Sequence, residues 1–409
     1  MTINVTSLKK QKWGVSISLS LVVPLLALTG TAVAADTEIK AAEPLQEVVV
    51  ISSRYPVPLS DVVGSVHSIS SAEIEERMVD DLHSLLATTV GVSVNRRQAY
   101  GRTYNDGVTI RGLGGKRVNI LLDGIRIADA YTGYGRDVVD VSLLKQVEIL
   151  KGPSSALYGS DGLAGVVSYI TKDPADLATK DSPYISLRTH YDSATSSNKI
   201  GLLTALAGDR LNGLLQIAKQ EMNNTYLHSD AELTPNPMDG HQETLFGKLK
   251  YNISDTSALT FTADIQRWEG DWDLQTDIGM SFFPAIVNTA ESIGTDNGNR
   301  DRFSLDYTYE SEAPLADKGK ISLYSQATDQ SQITNKQTLT FGGGLEARPT
   351  AMAKEFRDYQ FNQQIEGISV EYFKSLTSDT GRTHQIVYGA ELEQIEVMRP
   401  RYKKSLDLS

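Results

Sequence analysis

The stretch Ile149–Thr171, ILKGPSSALYGSDGLAGVVSYIT, holds four glycines (152, 159, 162 and 165), one proline, small residues between them and a β-branched run at its end. Glycine permits positive φ and close backbone approach. The stretch therefore reads as strand, compact turn, strand, with no room for side chains where the two backbones cross. Just upstream, DVSLLKQ reads as a short helix that Asp140 can cap, and VEILKG as a strand. Further out, GVTIRG (107–112) and RVNILLDGIRI (117–127) read as strands, the second folded over an Asp123-Gly124 hairpin turn. The run from Ile69 to Val94 opens with Ser70 and Glu73 at capping-box spacing. In it Ile74, Met78, Leu82, Leu85 and Leu86 share one helical face, which Gly91 closes. Residues 55–176 are thus expected to form a small α+β domain.

From Tyr184 the pattern changes to a period of two. In YISLRTHY, Ile185, Leu187 and Tyr191 oppose Ser186, Arg188 and His190; in LFGKLKY, Leu245, Leu249 and Tyr251 oppose Lys248 and Lys250. Nine such strands are expected, near 184–193, 199–208, 211–221, 242–252, 256–267, 300–312, 318–328, 358–375 and 383–397. Short connections such as AGDRLNG and SDTGR alternate with long polar segments near 222–241, 268–299 and 329–357. One apolar face, one charged face and this alternation of connections predict an antiparallel transmembrane β-barrel over 177–409.

The N-terminus has the form of an export signal. Lys9, Lys10 and Lys12 precede an apolar stretch and Ala32-Val33-Ala34, so residues 1–34 are expected as a cleaved signal peptide. Residues 35–54 read as a flexible tail holding one β-prone run, EVVVISSR (47–54). That run is expected as a mobile strand that pairs with a partner's sheet edge, with the first strand of the following domain as the other reading. The chain has no cysteine, which excludes disulfides and thiol chemistry, and its net charge of −12 argues against nucleic acid as a partner. RGLGGKR is not a dinucleotide fingerprint and GPSSALYGS lacks the Lys-Ser/Thr of a phosphate loop. No metal-type His/Glu pair and no nucleophile elbow are present, so no enzyme and no intrinsic cofactor or metal are expected.

The segments TIRGLGGKRVNILLDGIRI and LKQVEILKGPSSALYGSDGLAGVVSYITKDP resemble the plug signature of TonB-dependent outer-membrane receptors. The resemblance implies an α+β plug at 55–176, inside a barrel of the 22-strand type of which about nine strands are present, so that the sequence is expected to be an N-terminal piece. It implies a TonB box at about 47–54, with Glu47, Val48, Val49, Val50 and Ile51 contacting TonB of the inner-membrane energy-transducing complex. It places the protein in the outer membrane of a Gram-negative bacterium, among its lipid and lipopolysaccharide. GRDVVDVSLLKQVEI and YITKDPADL are similar to the haem and haemoglobin receptor branch, which implies haem as the transported ligand. Tyr100, Arg102, Tyr104, Tyr131, Tyr134 and Arg136, on loops expected at the outer opening, are candidates to meet it. Aromatic faces suit a porphyrin and arginines its propionates. His228 and His241, flanking a long outer loop, are further candidates. Arg111, Glu148 and Lys151 on plug strands are expected to pair with barrel-wall charges. A siderophore or cobalamin receptor of the same fold, and a passive barrel or adhesin, are the alternatives.

Overall fold

The computed structural model describes residues 48–408 except 52–53, 55–56, 63, 80, 95–106, 128–138, 159–161, 194, 225–234, 283–285, 342–348 and 379–381. In the N-terminal domain β1 (Val48–Val49) pairs with β2 (Val57–Pro58). There follow β3 (Val66–Ser70), α1 (Ser71–Glu76), α2 (Leu82–Leu86), β4 (Val92–Val94), β5 (Val108–Ile110), β6 (Val118–Leu122) and β7 (Ile125–Arg126). β8 (Leu144–Lys151), α3 (Ser155–Tyr158), β9 (Gly165–Thr171) and α4 (Pro174–Leu177) complete it. The central sheet has the order β3-β8-β9-β6-β7, with β6 and β9 parallel and the other neighbours antiparallel. Ile69, Leu85, Leu86, Ile110, Val147 and Ile149 lie in its core.

The glycine-dense stretch does what its composition requires. Gly165 has φ +151, and a Cβ there would run into the Leu150 carbonyl oxygen on the neighbouring strand. The two strands it joins, β8 and β9, are hydrogen-bonded neighbours. At the hairpin, Asp123 (φ 52) and Gly124 (φ 86) both take the left-handed conformation that a two-residue type I′ turn demands. The single helix expected between Ser70 and Gly91 is two. Ser70 caps the first through its Oγ, which accepts the Glu73 N–H at 3.3 Å. Met78 then adopts φ 49 and is 81% exposed, and Asp81 caps a second helix by accepting the Ser84 N–H at 2.6 Å. A capping carboxylate at Asp81 outcompetes the apolar periodicity that would have carried one helix through Met78.

The second sheet runs β10 (Tyr184–Asp192), β11 (Ser197–Ala207), β12 (Leu211–Met222), β13 (Met238–Ser254), β14 (Ser257–Asp273), β15 (Gly279–Ser281), β16 (Ile286–Glu310), β17 (Lys318–Phe341), β18 (Pro349–Thr377), β19 (Thr383–Met398) and β20 (Arg401–Asp407). All neighbours are antiparallel, in the order β10-β11-β12-β13-β14-β16-β17-β18-β19, with β15 on β16 and β20 on β18. β19 and β20 pair with β18 in one unbroken register, Asn362 with Met398 and Tyr359 with Arg401, and the Gln360 N–H reaches the Pro400 carbonyl. They are one ladder interrupted at Pro400, which has no N–H to donate.

The sheet is inside-out by the standard of a water-soluble protein. Ile185, Leu215, Ile217, Leu249 and Phe261 are exposed, whereas Gln216, Thr244, Lys248, Thr262 and Arg302 are buried. The polar face packs on the N-terminal domain, and the apolar face suits lipid. No described helix is long and apolar enough to cross a membrane, which says nothing of strands. Tyr309, Tyr372 and Tyr388 line up across β16, β18 and β19 near the short connections, with successive ring centroids 6.3 and 5.4 Å apart, as in an interfacial aromatic girdle. β16, β17 and β18 have 25, 24 and 29 residues, far beyond the roughly 9–11 that cross a bilayer. Much of the polar sequence expected as long loops near 268–299 and 329–357 is therefore strand. A ladder whose two faces are both wet continues without hydrophobic alternation.

Candidate functional site: the clamped N-terminal segment and the plug–wall seam

The first described residues are held rather than free. Val49 is fully buried and Ile51 is 1% exposed. Because β1 is so short, its backbone needs partners outside the pair with β2. Glu148, itself 1% exposed on β8, supplies them. Its carboxylate accepts the Val50 N–H at 3.1 and 3.0 Å and the Ile51 N–H at 2.7 Å. Gln146 Nε2 donates to the Val48 carbonyl at 2.9 Å and the Tyr158 hydroxyl to the Ile51 carbonyl at 3.0 Å. Burial pushes the Tyr158 phenol above its ordinary range against the opposing pull of Arg54, so the hydroxyl keeps the proton it donates. The Ile51 side chain packs with Leu121 and Val166.

Arg54 ties the same segment to the wall. Its guanidinium lies 4.7 Å from the Tyr158 ring centroid, donates to Glu371 of β18 at 2.8 Å and approaches Glu391 of β19 at 3.9 Å. Glu371 lies near the short connection between β16 and β17, so the segment sits at the short-turn end of the sheet. Segment, plug and wall meet within one cluster.

Polar pairs hold the rest of the seam. Asp140, before the 3-10 turn Val141–Leu143, accepts Lys199 Nζ at 3.0 Å, Gln216 Nε2 at 2.9 Å and the Ser142 N–H at 3.0 Å. Asp123, at the hairpin tip, accepts the Thr171 N–H at 2.8 Å and faces the Arg302 guanidinium at 3.8 Å. Burial alone would raise both carboxyls. Lys199 and the Ser142 bonds at Asp140, and Lys248, Arg302 and Thr171 at Asp123, outweigh it and hold both below the usual carboxylate value. Arg302 also donates to the Leu122 carbonyl at 2.7 Å, and Lys248 to Asp173 at 2.9 Å. Ile125 completes the hairpin's contact by packing on Tyr324 and Ile365. α4 touches β11, β12 and β13, while the hairpin touches β16, β17 and β18, so the sheet wraps around the first domain.

The residues proposed from sequence for the plug–wall contact are placed differently. Glu148 serves the N-terminal segment, Lys151 donates to the Val90 carbonyl at 3.2 Å, and Arg111 is exposed at φ 51 with its N–H on the Gly91 carbonyl. β8 lies inside the plug sheet, so its charges turn to neighbours within that domain. The seam uses Asp123, Asp140, Lys199, Lys248 and Arg302 instead. Each had a visible signal: Asp140 as a cap, Asp123 as a turn, the others on the polar side of alternating strands. Their convergence had none. His241 is exposed in β13, beside Glu221 and Glu269 on adjacent strands, rather than on a loop. β13 starts earlier than its apolar alternation indicates and carries His241 on the outer face. Val48–Ile51 are docked within this chain instead of loose. Glu47, Tyr100, Arg102, Tyr104, Tyr131, Tyr134, Arg136 and His228 lie outside the described residues. Among the described residues no cluster of His, Asp or Glu could hold a metal ion.

Residues 58–166 match the family model described as TonB-dependent Receptor Plug Domain. The chain is 36% identical over 151 residues to the vitamin B12 transporter BtuB of Vibrio vulnificus (strain CMCP6), covering 37% of this chain and 24% of that protein. It is 25% identical over 296 residues to a hemin receptor of Yersinia pestis, covering 71% of this chain and 39% of that one. Among solved structures, the FrpB iron transporter from Neisseria meningitidis (F3-3 variant) superposes with a TM-score of 0.56 at 13% identity, covering 84% of this chain and 62% of that one. The matches span well under half the length of these two curated relatives. Residues 58–166 are thus similar to a plug of the TonB-dependent receptor type, and the chain shares its fold with the FrpB transporter.

Proposed function

We propose that this chain forms the plug and part of the wall of a TonB-dependent outer-membrane receptor that imports an iron-bearing ligand, with haem, free or carried by haemoglobin, as the cargo. The observation that carries the reading is the clamped segment Val48–Ile51. It is a strand-forming stretch at the short-turn end, bound to the plug through Glu148, Gln146 and Tyr158 and followed by Arg54, which reaches the wall. Such a segment can be drawn into a partner's sheet only when these holds let go, which links capture by TonB to loosening of the plug. Hydrogen bonds to a charged group are worth roughly 1.5–3 kcal/mol each, so the clamp is reversible under a pulling partner. No covalent step is involved. The likeness to a hemin receptor over most of this chain favours haem; the likeness to BtuB over the plug supports cobalamin as a second reading.

The test is deletion of Glu47–Ile51 in the full-length protein. Ligand binding should persist while uptake stops. Uptake at the undeleted rate would favour a passive barrel.

A further inference from the structure

The connection 311–317 between β16 and β17 is pinned along its length. The Asp317 carboxylate accepts Lys374 Nζ at 2.6 Å and the Ser375 N–H at 2.8 Å. The Ser311 N–H reaches the Asp317 carbonyl and the Asp317 N–H the Phe373 carbonyl, each at 2.8 Å. Lys374 Nζ also donates to the Ala313 carbonyl at 2.8 Å, and Ala316 is buried. Pro314 has its φ fixed by its ring and disfavours helical backbone at Ala313. The turn leans across the apolar face of the wall. Lys374 stands one row beyond Tyr372 on the side of β18 that carries the tyrosine row. At the far side the Tyr388 hydroxyl, on β19, donates to the Leu315 carbonyl at 2.8 Å. Tyr388 is the last ring of the Tyr309–Tyr372–Tyr388 row. Leu315 is thereby fixed beside the girdle, and its side chain points outward, 81% exposed. Leu376 and Ile386, on the same face of the wall, are exposed as well. Glu312, the turn's other carboxylate, is exposed at its beginning. None of the described residues covers Leu315.

We infer that the turn 311–317 is a membrane hook: Leu315 inserts among the acyl chains of the lipid leaflet at the short-turn end, and Asp317, Lys374 and Tyr388 hold it in place. The inference rests on the receptor reading above, in which short turns lie on the periplasmic side. Lipid is the occupant that the girdle specifies. Interfacial tyrosines keep their rings toward the chains and their hydroxyls among the headgroups. A leucine whose carbonyl is bonded to such a hydroxyl stands at the same boundary. Its backbone is already ordered, so insertion costs little further freedom. The Lys374–Asp317 pair brings no net charge to that boundary. Glu371 and Glu391, which meet Arg54, lie close to Lys374 and Tyr388 on the same two strands. The hook therefore braces the part of the wall that holds the N-terminal segment against a pulling partner.

The experiment places a bimane label on single cysteines replacing Leu315, Leu215 and Asp209 in the full-length protein, reconstituted in phosphatidylcholine bilayers. Quenching by phosphatidylcholine brominated near the top of its acyl chains is set against quenching by aqueous iodide. Leu215, on the apolar face of β12, reports the wall; Asp209, exposed in the turn 208–210 at the same end, reports water. All three side chains are exposed, so the labels leave the fold intact. The Leu315 label should be quenched by brominated lipid about twofold or more above the Asp209 label, as for a group roughly 5–10 Å into the headgroup–acyl boundary. Iodide should reach it correspondingly less. Asp317→Ala should move the Leu315 label toward iodide, since the turn loses its hold on Lys374 and Ser375. A Leu315 label open to iodide while the Leu215 label is quenched by lipid overturns the inference. So does a Leu315 label shielded from both quenchers, which would put a protein over the turn, and so does one that Asp317→Ala leaves unmoved. A Leu215 label open to iodide would overturn the wall's lipid contact, and the receptor reading with it.

Discussion

Glu148 spends its charge on two backbone N–H groups. Replacing it by alanine leaves the Val50 and Ile51 amides without their acceptor in a buried place, at about 1–3 kcal/mol for each unsatisfied group. Glu148→Ala should therefore raise amide exchange at Val50 and Ile51 by at least about tenfold. Glu148→Gln, which keeps one acceptor oxygen, should raise it less. Equal protection in all three proteins would mean that β1 alone holds the segment. Asp140 makes a different prediction. Its carboxyl is held below the usual value in the folded chain, so its contribution is complete above that value and is lost as pH falls through the depressed one. The protection factors of the Val141–Leu143 amides, taken against the intrinsic exchange rate at each pH, should stay flat from neutral pH down to about 4 and fall below it. Asp140→Asn should loosen this turn already at neutral pH and remove the acid step. A step near neutrality that Asp140→Asn abolishes would contradict the assignment. Sequence showed Asp140 as a cap and Glu148 as a charge on a strand. What either carboxylate meets depends on residues more than fifty positions away, and no local pattern carries that.

Alternation was readable among the wall strands where one face is apolar and exposed and the other packs on the plug, because the two faces there demand opposite chemistry. It failed toward the far ends of the long strands, where β16 to β18 keep pairing through polar sequence. It failed also at Met78, where a periodic apolar residue marks a break. Aromatic residues facing glycines are a further feature that a strand-by-strand reading misses. Tyr324 pairs with Gly367 and Trp268 with Gly298 across neighbouring strands, and a Cβ on either glycine would overlap the ring. The tyrosine hydroxyl reaches Glu391 at 2.9 Å and Glu393 at 3.2 Å only by lying across Gly367. Gly367→Ala should lower stability by about 1–3 kcal/mol, read as an earlier denaturant midpoint. Gly367→Ala in a Tyr324→Leu background should cost less. An equal cost in both backgrounds would show that the ring is not the obstacle.

At the scale of the molecule, the plug is tied to its wall by separate polar contacts and by two small apolar patches, Ile125 on Tyr324 and Ile365, and Leu143 on Leu203, Leu214 and Phe246. Arg302, Lys248, Lys199 and Arg54 each reach from one body to the other. Polar contacts of this kind break one at a time, which would suit the plug movement proposed above. Arg54→Ala should free the N-terminal segment from the wall and leave the Glu148 hold in place, so protease sensitivity near Arg54 should rise while the plug stays protected. The division into a glycine-rich domain and an alternating sheet was legible in the sequence, since each obeys its own period. Which wall strands meet which plug residues was not, because the seam is assembled from both halves of the chain.

The central claim is that the polar side of the sheet holds the plug and the apolar side faces lipid. These 409 residues hold no cysteine, so site-directed labels here are unambiguous once any cysteine elsewhere in the full-length protein is replaced. Spin labels at single cysteines replacing Leu215 and Ile217 in the full-length protein, reconstituted in bilayers, should collide with oxygen far more than with a water-soluble nickel chelate. Preferential collision of both labels with the nickel chelate would contradict the account.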